Sequence, residues 1–375
     1  MQAPKRILLV ISNLTYGGAE RQVVEIANGL DRARYDVHVC ILSNHAPLAS
    51  ALNDPSRLHR IPKHNKFDVS VVLRLAGLMR KLKTDVVHGF LFDAEIASRL
   101  AGKLAGVRTV IGSERNSSHN YKRLNLLAYR WTSRLMTVCV ANSEAGRRFN
   151  QQTFGLPDDS YRVVYNGVDI ERFRPRSKPD ARAHLGLSGD NFVIGMIGSF
   201  KRQKNHPYIL RTIAELARQR QDFYLLLVGT TVFEGDADSA AYFASIQEMI
   251  SAMGLTDRVK LAGARDDVER VINACDITVL PSLFEGTPNV VLESLASGVP
   301  VVATDVADNR TLIPEGKVGF VVGLEEEAVF AGKIASLLED DELRGAMSVS
   351  ARQWVEERFS VQTMVNNMAR VYDSV

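Results

Sequence analysis

Residues 280–304, LPSLFEGTPNVVLESLASGVPVVAT, constrain the fold more than any other stretch of this chain. A short apolar strand ends at Pro281, and a loop carries Glu285 and Gly286. A helix is expected to open at Thr287-Pro288 and to stop at Gly298, followed by an apolar strand from Val299 to Thr304. Thr287 suits an N-cap, Pro288 the first helical position and Gly298 the residue past the end. Strand, loop, helix and strand in this order make one unit of a parallel sheet. Its helix N-terminus faces the carboxyl ends of the strands, where open α/β sheets bind ligands. The N–H groups and dipole there favour an anion such as a phosphate. Glu285 in the loop and Glu293 in the second helical turn can both point at one ligand, because helical side chains lean toward the N-terminus. The same pattern fits a capped helix with two solvated glutamates, and spacing alone leaves both readings open.

A chain of 375 residues has room for two domains with ample cores, and 46% hydrophobic and 24% charged residues is a globular balance. The net charge of +3 hides an asymmetry: residues 1–175 carry 26 Lys+Arg against 15 Asp+Glu, and residues 176–375 carry 20 against 28. A basic first half points to an anionic partner, either a membrane surface or a phosphorylated substrate. Cys40, Cys139 and Cys275 are odd in number and widely spaced, so they read as core residues of a reducing compartment rather than a disulfide framework or a zinc site. The apolar run of MQAPKRILLVIS is too short for a signal sequence, and no run approaches the ~18 residues of a membrane span.

Taken in order, the chain alternates strand and helix. Strand 6–11 runs through SNLTYGG into helix 19–30, and the pair Gly17-Gly18 lets backbone approach a ligand closely. This is not the GxGxxG fingerprint, so a dinucleotide site is poorly supported. Strand 37–42, an irregular segment 43–67 with three prolines, and helix 68–83 follow. Strand 85–88 delivers His88 to its carboxyl end, where it serves either chemistry or structure. Helix 94–105 and strand 108–111 precede a helix over 120–135, where Leu124, Leu127, Tyr129, Trp131 and Leu135 mix with Lys122, Arg123, Arg130 and Arg134. That mixture suits an anionic bilayer surface and equally a sheet-packing helix with a solvated basic face. Strand 138–141, helix 144–153 and a strand over 162–165 lead to the turn NGVD at 166–169.

Residues 170–190 are rich in Pro and charge and lack a strand pattern, which marks a linker. A second alternating region begins at Phe192. Its first strand, 192–197, ends at Gly198 and is followed by SFKRQKNH, so Lys201, Arg202 and Lys204 lie in a strand-to-helix loop, as phosphate-neutralising cations often do. A glycine loop, Gly263-Ala264-Arg265, precedes helix 267–274 and strand 277–280. The C-terminal helical region 341–373 has a break at Phe359-Ser360. The expected division is 1–172, a linker at 173–190, 191–355, and a terminal helix over 356–375 crossing back to the first domain.

The chain resembles the retaining glycosyltransferases of family 4 from end to end. GGAER at 17–21, NGVD at 166–169, KN at 204–205 and the 280–304 stretch carry the resemblance in their order and spacing. It implies an α/β GT-B fold, two Rossmann-like doubly wound domains facing a central cleft, with acceptor on the first and donor on the second. The implied activity is metal-independent transfer of a sugar from a nucleoside diphosphate sugar, with UDP-sugar favoured over GDP-sugar and no cofactor. Glu285, Lys204, Arg202 and His88 are the implied catalytic groups. Glu293 would hold the ribose, Gly286, Thr287, Pro288 and Asn289 the phosphates, and Gly263 and Arg265 the base. Gly17, Gly18, Ser199 and Lys201 complete the donor side, and Glu20, Arg115 and Asn116 the acceptor side. Two departures stand out: Ser199 where many members have Arg, and Phe90 where many have a second His. The first leaves the cation beside Lys204 open between Lys201 and Arg202, and the second leaves His88 to orient substrate. The expected acceptor is a lipid-linked glycan of surface polysaccharide biosynthesis, met at the inner face of the cytoplasmic membrane by a cytoplasmic, peripheral enzyme. A sugar-nucleotide epimerase and a non-catalytic binding scaffold on the same fold are the alternatives.

Overall fold

A computed structural model describes residues 3–65, 68–115, 123–187, 190–230 and 237–375. The chain divides into two compact units, Met1–Gly167 with Val361–Val375, and Val168–Ser360.

In the first unit, strands β1 (Lys5–Ile11), β2 (Tyr35–Ile41), β3 (Leu58–Arg60), β4 (Val86–Phe90), β5 (Thr109–Glu114), β6 (Val138–Ala141) and β7 (Tyr161–Val163) alternate with helices α1 (Gly18–Gly29), α2 (Ser70–Leu82), α3 (Phe92–Ala105), α4 (Arg123–Ser133) and α5 (Glu144–Phe154). The strands pair in the order β3-β2-β1-β4-β5-β6-β7, every pairing parallel. Leu8, Val10 and Val87 point to one face and Leu9, Ile11 and Phe90 to the other, and all are buried, as a sheet covered by helices on both sides requires. β3 lies in the segment expected to be irregular. It is three residues long and pairs along one edge with β2. Residues 120–122 of the expected basic helix, Lys122 among them, lie outside the described residues, as does Asn116.

The second unit opens with α6 (Lys178–His184), a helix within the stretch expected as linker. Ser177 caps its first turn, and Lys178 and Arg182 hold the buried Asp276 at 2.6 and 2.5 Å. Then come β8 (Phe192–Ile197), α7 (His206–Ala217), β9 (Phe223–Val228), α8 (Ala237–Ala252), β10 (Val259–Leu261), α9 (Val268–Ala274), β11 (Ile277–Leu280), α10 (Asn289–Ala296), β12 (Val301–Thr304), α11 (Asn309–Leu312), β13 (Gly319–Val322), α12 (Glu327–Glu339) and α13 (Asp341–Arg358). The sheet order is β10-β9-β8-β11-β12-β13, again with every pairing parallel.

α10 starts one residue later than the spacing suggests. Pro288 is still extended at ψ 107°, so Asn289 is the first helical residue and Thr287 lies outside the helix. Its end matches expectation: Gly298 takes φ +70° and donates to Leu295 O at 3.0 Å, while Val299 donates to Ser294 O at 2.9 Å, a Schellman closure.

The last helix, α14 (Val361–Asp373), belongs to the first unit and packs on α1. It sits close enough that a Cβ on Gly29 would meet Val365 Cγ2 at 2.6 Å. Among the described residues no helix is long and apolar enough to cross a membrane.

Candidate active site

Each sheet has one place where neighbouring strands send their following loops in opposite directions, and crevices form there. In the second unit it lies between β8 and β11. The two loops concerned are 198–205 and 281–288, which carry the cations and Glu285.

These loops are zipped together. Leu283 N–H donates to Gln203 O at 2.8 Å, and Gln203 Nε2 donates to Phe284 O at 2.8 Å. Lys204 Nζ then reaches Glu285 Oε1 at 2.5 Å, with the side chains only 16% and 8% exposed. Ser282 Oγ, fully buried, donates to the same oxygen at 2.7 Å. Ser282 is itself held from β12, since Thr304 Oγ1 donates to its carbonyl at 2.6 Å. Two donors on one carboxylate oxygen fix the rotation of Glu285 without any contribution from ligand. Gln203 and Ser282 carry no spacing signal in the sequence and escaped the sequence reading.

The backbone explains how Lys204 arrives. Residues 202–204 make one 3-10 turn, and Asn205 takes φ +55°, ψ +48°, a left-handed conformation that Asn tolerates better than most residues. Gly198 leaves the Lys204 stem room: a Cβ there would sit 3.3 Å from Lys204 Cε. His206 begins α7 and stacks on Phe200 at 4.4 Å. Burial, and then the charge of Lys204, lower its pKa to about 4. His206 is therefore neutral near pH 7, and the loop's positive charge comes from Lys201, Arg202 and Lys204. Arg202 is exposed and lies 5.6 Å over the Tyr242 ring, and Lys201 is exposed beside it.

Gly286, Thr287 and Pro288 lead into α10, with Thr287 buried, and Asn289 opens its first turn. Glu293 is the fifth residue of α10 and half-buried. Ser199, half-buried, accepts from Lys201 N–H at 2.8 Å through its carbonyl. Gly263 takes φ +68° just beyond β10, and its carbonyl accepts from Gly229 N–H at 2.9 Å. Arg265 is committed to Asp267, with both bonds at 2.7 Å. That pairing first, and then His184, holds the Asp267 carboxyl at about 2 against the opposing effect of burial.

In the first unit the corresponding switch point is between β1 and β4. Gly17 precedes α1 and Gly18 is its first residue. A Cβ on Gly17 would meet Glu20 Oε2 at 2.1 Å, so the Glu20 carboxylate is folded back over the helix start. Burial raises its pKa, opposed by its hydrogen bonds. His88 is fully buried, stacks on Phe90 at 4.1 Å, and its Nδ1 lies 2.9 Å from Tyr372 Oη. Burial, and then the charge of Arg115, push its pKa well below the usual imidazole value. Arg115 donates to Ser113 Oγ at 2.8 Å and to Asn166 Oδ1 at 2.9 Å. Asn166 begins the NGVD turn, and the next residue, Gly167, exchanges two 2.9 Å bonds with the Gln22 amide.

Residues 16–172 match Glycosyltransferase Family 4 and residues 177–354 match Glycosyl transferases group 1. The chain is similar to the UDP-Gal:alpha-D-GlcNAc-diphosphoundecaprenol alpha-1,3-galactosyltransferase of Escherichia coli, 27% identical over 95% of this chain and 93% of that one. It is also similar to the putative glycosyltransferase EpsF of Bacillus subtilis, 27% identical over 80% and 79%. Among solved structures, Anabaena HepE in complex with UDP superposes with a TM-score of 0.87 at 22% identity over 99% and 100% of the two chains. WaaG, a glycosyltransferase involved in lipopolysaccharide biosynthesis, does so with 0.75 at 16% over 97% and 99%. The fold is therefore GT-B. With one match filling each unit and the likeness running the length of the chain, this protein belongs to the family 4 glycosyltransferases.

Proposed function

We propose that this glycosyltransferase moves a sugar from a UDP-sugar to a lipid-linked glycan acceptor, with retention at the anomeric carbon and without a metal. The observation that carries the reading is the Lys204–Glu285 pair at the β8/β11 switch point, beside the N-terminus of α10. A diphosphate leaving group needs positive charge placed in advance, because preorganised charge in a water-poor site stabilises developing anions far better than solvent does. Lys204, with Lys201 or Arg202 and the first N–H groups of α10, supplies it. Glu285 meets the donor sugar and Glu293 the ribose hydroxyls. The bond from the anomeric carbon to the diphosphate oxygen breaks, and the acceptor oxygen bonds to the same face. The acceptor's proton passes to the departing phosphate oxygen.

The choice of UDP is supported by the E. coli relative, whose name gives UDP-Gal as donor, and by Anabaena HepE, crystallised with UDP. The lipid-linked acceptor is supported by the diphosphoundecaprenol in that relative's name. A peripheral position at the inner face of the cytoplasmic membrane is supported by one stripe of α4 that continues into Arg134, the residue just past its end. Arg123, Leu127, Arg130, Trp131 and Arg134 are all exposed at helical spacing, with Leu127 at 63% and Trp131 at 66%. Two apolar side chains among three arginines fit an anionic interface.

The test is transfer from a panel of UDP- and GDP-sugars to a polyprenyl-diphosphate sugar with EDTA present, the anomeric configuration of the product being read by NMR. Activity that appears only with added divalent metal, or an inverted product, would overturn the reading.

A further inference from the structure

Among the described residues, the aromatic side chains left mostly open to solvent are Trp131, on the α4 stripe, and Tyr16, which is 72% exposed. Tyr16 lies in the loop that joins β1 to α1, one residue before Gly17. Single exposed apolar side chains are common on protein surfaces. The setting of this one sets it apart.

β1 and β4 are parallel neighbours, with Ile11 opposite Phe90. The helices that follow them take opposite faces of the sheet. α1 packs through Val23, Val24 and Ile26 on the face of Leu9 and Ile11, and α3 packs through Ala94, Ala97 and Ala101 on the face of Leu8 and Val10. The loop that carries Tyr16 is therefore one wall of the crevice at this switch point. Its backbone is held on both sides of the ring. Leu14 is buried, donates to His45 O at 3.2 Å and accepts from Leu48 N–H at 3.0 Å. Asn13 Oδ1 accepts from the Thr15 N–H at 3.1 Å and from its hydroxyl at 2.9 Å. On the far side, Gly17 O accepts from Arg21 N–H at 3.2 Å. A fixed backbone thus presents an uncovered ring, with open space beside it, at the mouth of the first unit's crevice.

We propose that Tyr16 is an acceptor-binding residue whose ring stacks on the acceptor's sugar and sets how tightly that sugar is held. This rests on the transfer to a diphosphate-linked sugar proposed above, with the acceptor on the first unit. The face of a phenol ring carries the negative part of the aromatic quadrupole. One face of a pyranose carries a patch of C–H hydrogens with positive partial charge, so the two faces are complementary. Tyrosine has only two side-chain torsions to fix on binding, and a rigid loop lowers the entropic cost further. The second unit supplies the charged groups that a nucleoside diphosphate needs, which leaves the apolar platform to the other sugar.

The experiment measures transfer by the full-length protein from UDP-sugar to hexyl-diphospho-N-acetylglucosamine, a water-soluble probe that takes the membrane out of the assay. Tyr16→Ala is expected to raise the KM for this probe about tenfold at an unchanged donor KM. Tyr16→Phe, which keeps the ring face and loses only the hydroxyl, should retain the wild-type value. Both variants should melt as the wild type does, because the ring is exposed and the loop is held by its neighbours. An unchanged probe KM in Tyr16→Ala, or an equal rise in Tyr16→Phe, would overturn the platform. A rise in donor KM instead would place the ring on the donor and overturn it as well. Wild-type protein that hydrolyses UDP-sugar but transfers nothing to the probe would overturn the acceptor reading itself, and with it the ligand assigned to Tyr16. That failure is told apart from the others because it appears before any substitution is made.

Discussion

Lys204 Nζ, from the loop 198–205, and Ser282 Oγ, from Glu285's own loop, converge on one oxygen of Glu285 at 2.5 and 2.7 Å. The arrangement is a nearly buried ion pair with an additional donor, in which each charge depends on the other. Removing one partner strands the other in a poorly solvated place and costs about 3–5 kcal/mol, whereas replacing both with apolar residues costs much less. Lys204→Ala and Glu285→Ala are each expected to lower thermal stability and to reduce kcat by roughly 10²–10³-fold. Lys204→Met combined with Glu285→Leu should recover most of the stability and none of the activity. A double-mutant cycle by denaturant titration, run beside the transfer assay, checks this. Additive losses of stability would show that the two charges are not coupled.

The pH dependence of stability should carry the mark of His206. In the unfolded chain this imidazole takes a proton near 6.5, whereas in the folded protein burial, and then the charge of Lys204, keep it neutral down to about 4. Between these values the unfolded state binds the extra proton, so stability falls as pH drops from about 6.5 toward 4 and the loss is complete below the folded value. A gap of this size corresponds to roughly 3 kcal/mol. His206→Asn is expected to flatten that part of the profile relative to wild type, as read by chemical denaturation at a series of pH values. Parallel profiles in the two proteins would contradict it.

Much of this was legible in the sequence because parallel strands are short, apolar and bounded by turn residues. β6, β8 and β11 fall where the apolar runs place them, and the break at Phe359-Ser360 separates α13 from α14. What was not legible has physical reasons. β3 is held by pairing along a sheet edge rather than by its own pattern, in a segment broken by prolines. α6 is seven residues long and held by Asp276, far along the chain, so its own residues look like a linker. α10 begins at Asn289 because Pro288 stays extended, a matter of ψ that residue type does not decide. Ser282, Gln203, Gln22 and Tyr372 act through single hydrogen bonds to distant partners, and such bonds have no period to read. The pairing of Glu95 with Arg99, wholly buried at 2.9 Å, looks in the sequence like any solvated i,i+4 pair.

The exposed stripe on α4 gives a membrane prediction with two separable parts. Leu127 and Trp131 would enter the interface, and Arg123, Arg130 and Arg134 would meet anionic headgroups. Binding to phosphatidylglycerol vesicles should therefore exceed binding to phosphatidylcholine vesicles and weaken with added salt. Leu127→Ser with Trp131→Ser should cut it by at least about tenfold while leaving transfer to a water-soluble acceptor analogue unchanged. Sedimentation with vesicles measures the first and the transfer assay the second. Equal binding by the double variant would remove α4 as the contact.

The loop that delivers Lys204 has its own weak point at Gly229. A Cβ on Gly229 would lie 1.9 Å from Gly198 O, 2.6 Å from Gly198 C and 3.1 Å from Ser199 N, all backbone atoms at the start of that loop. No rotamer change relieves such a clash, so the loop itself must shift, at a cost of about 1–3 kcal/mol. Because Gln203 and Lys204 are zipped to 283–285, the shift reaches the Glu285 carboxylate. Gly254 provides the control. It takes φ +67° with nothing within 4 Å of an added Cβ, so Gly254→Ala costs only the left-handed backbone, about 1–2 kcal/mol. Both variants should therefore lose similar stability, but only Gly229→Ala should lose nucleotide binding. UDP titration by calorimetry, with melting curves on the same samples, separates the two effects. If Gly229→Ala bound UDP as tightly as Gly254→Ala does, the loop position would not matter to the donor site.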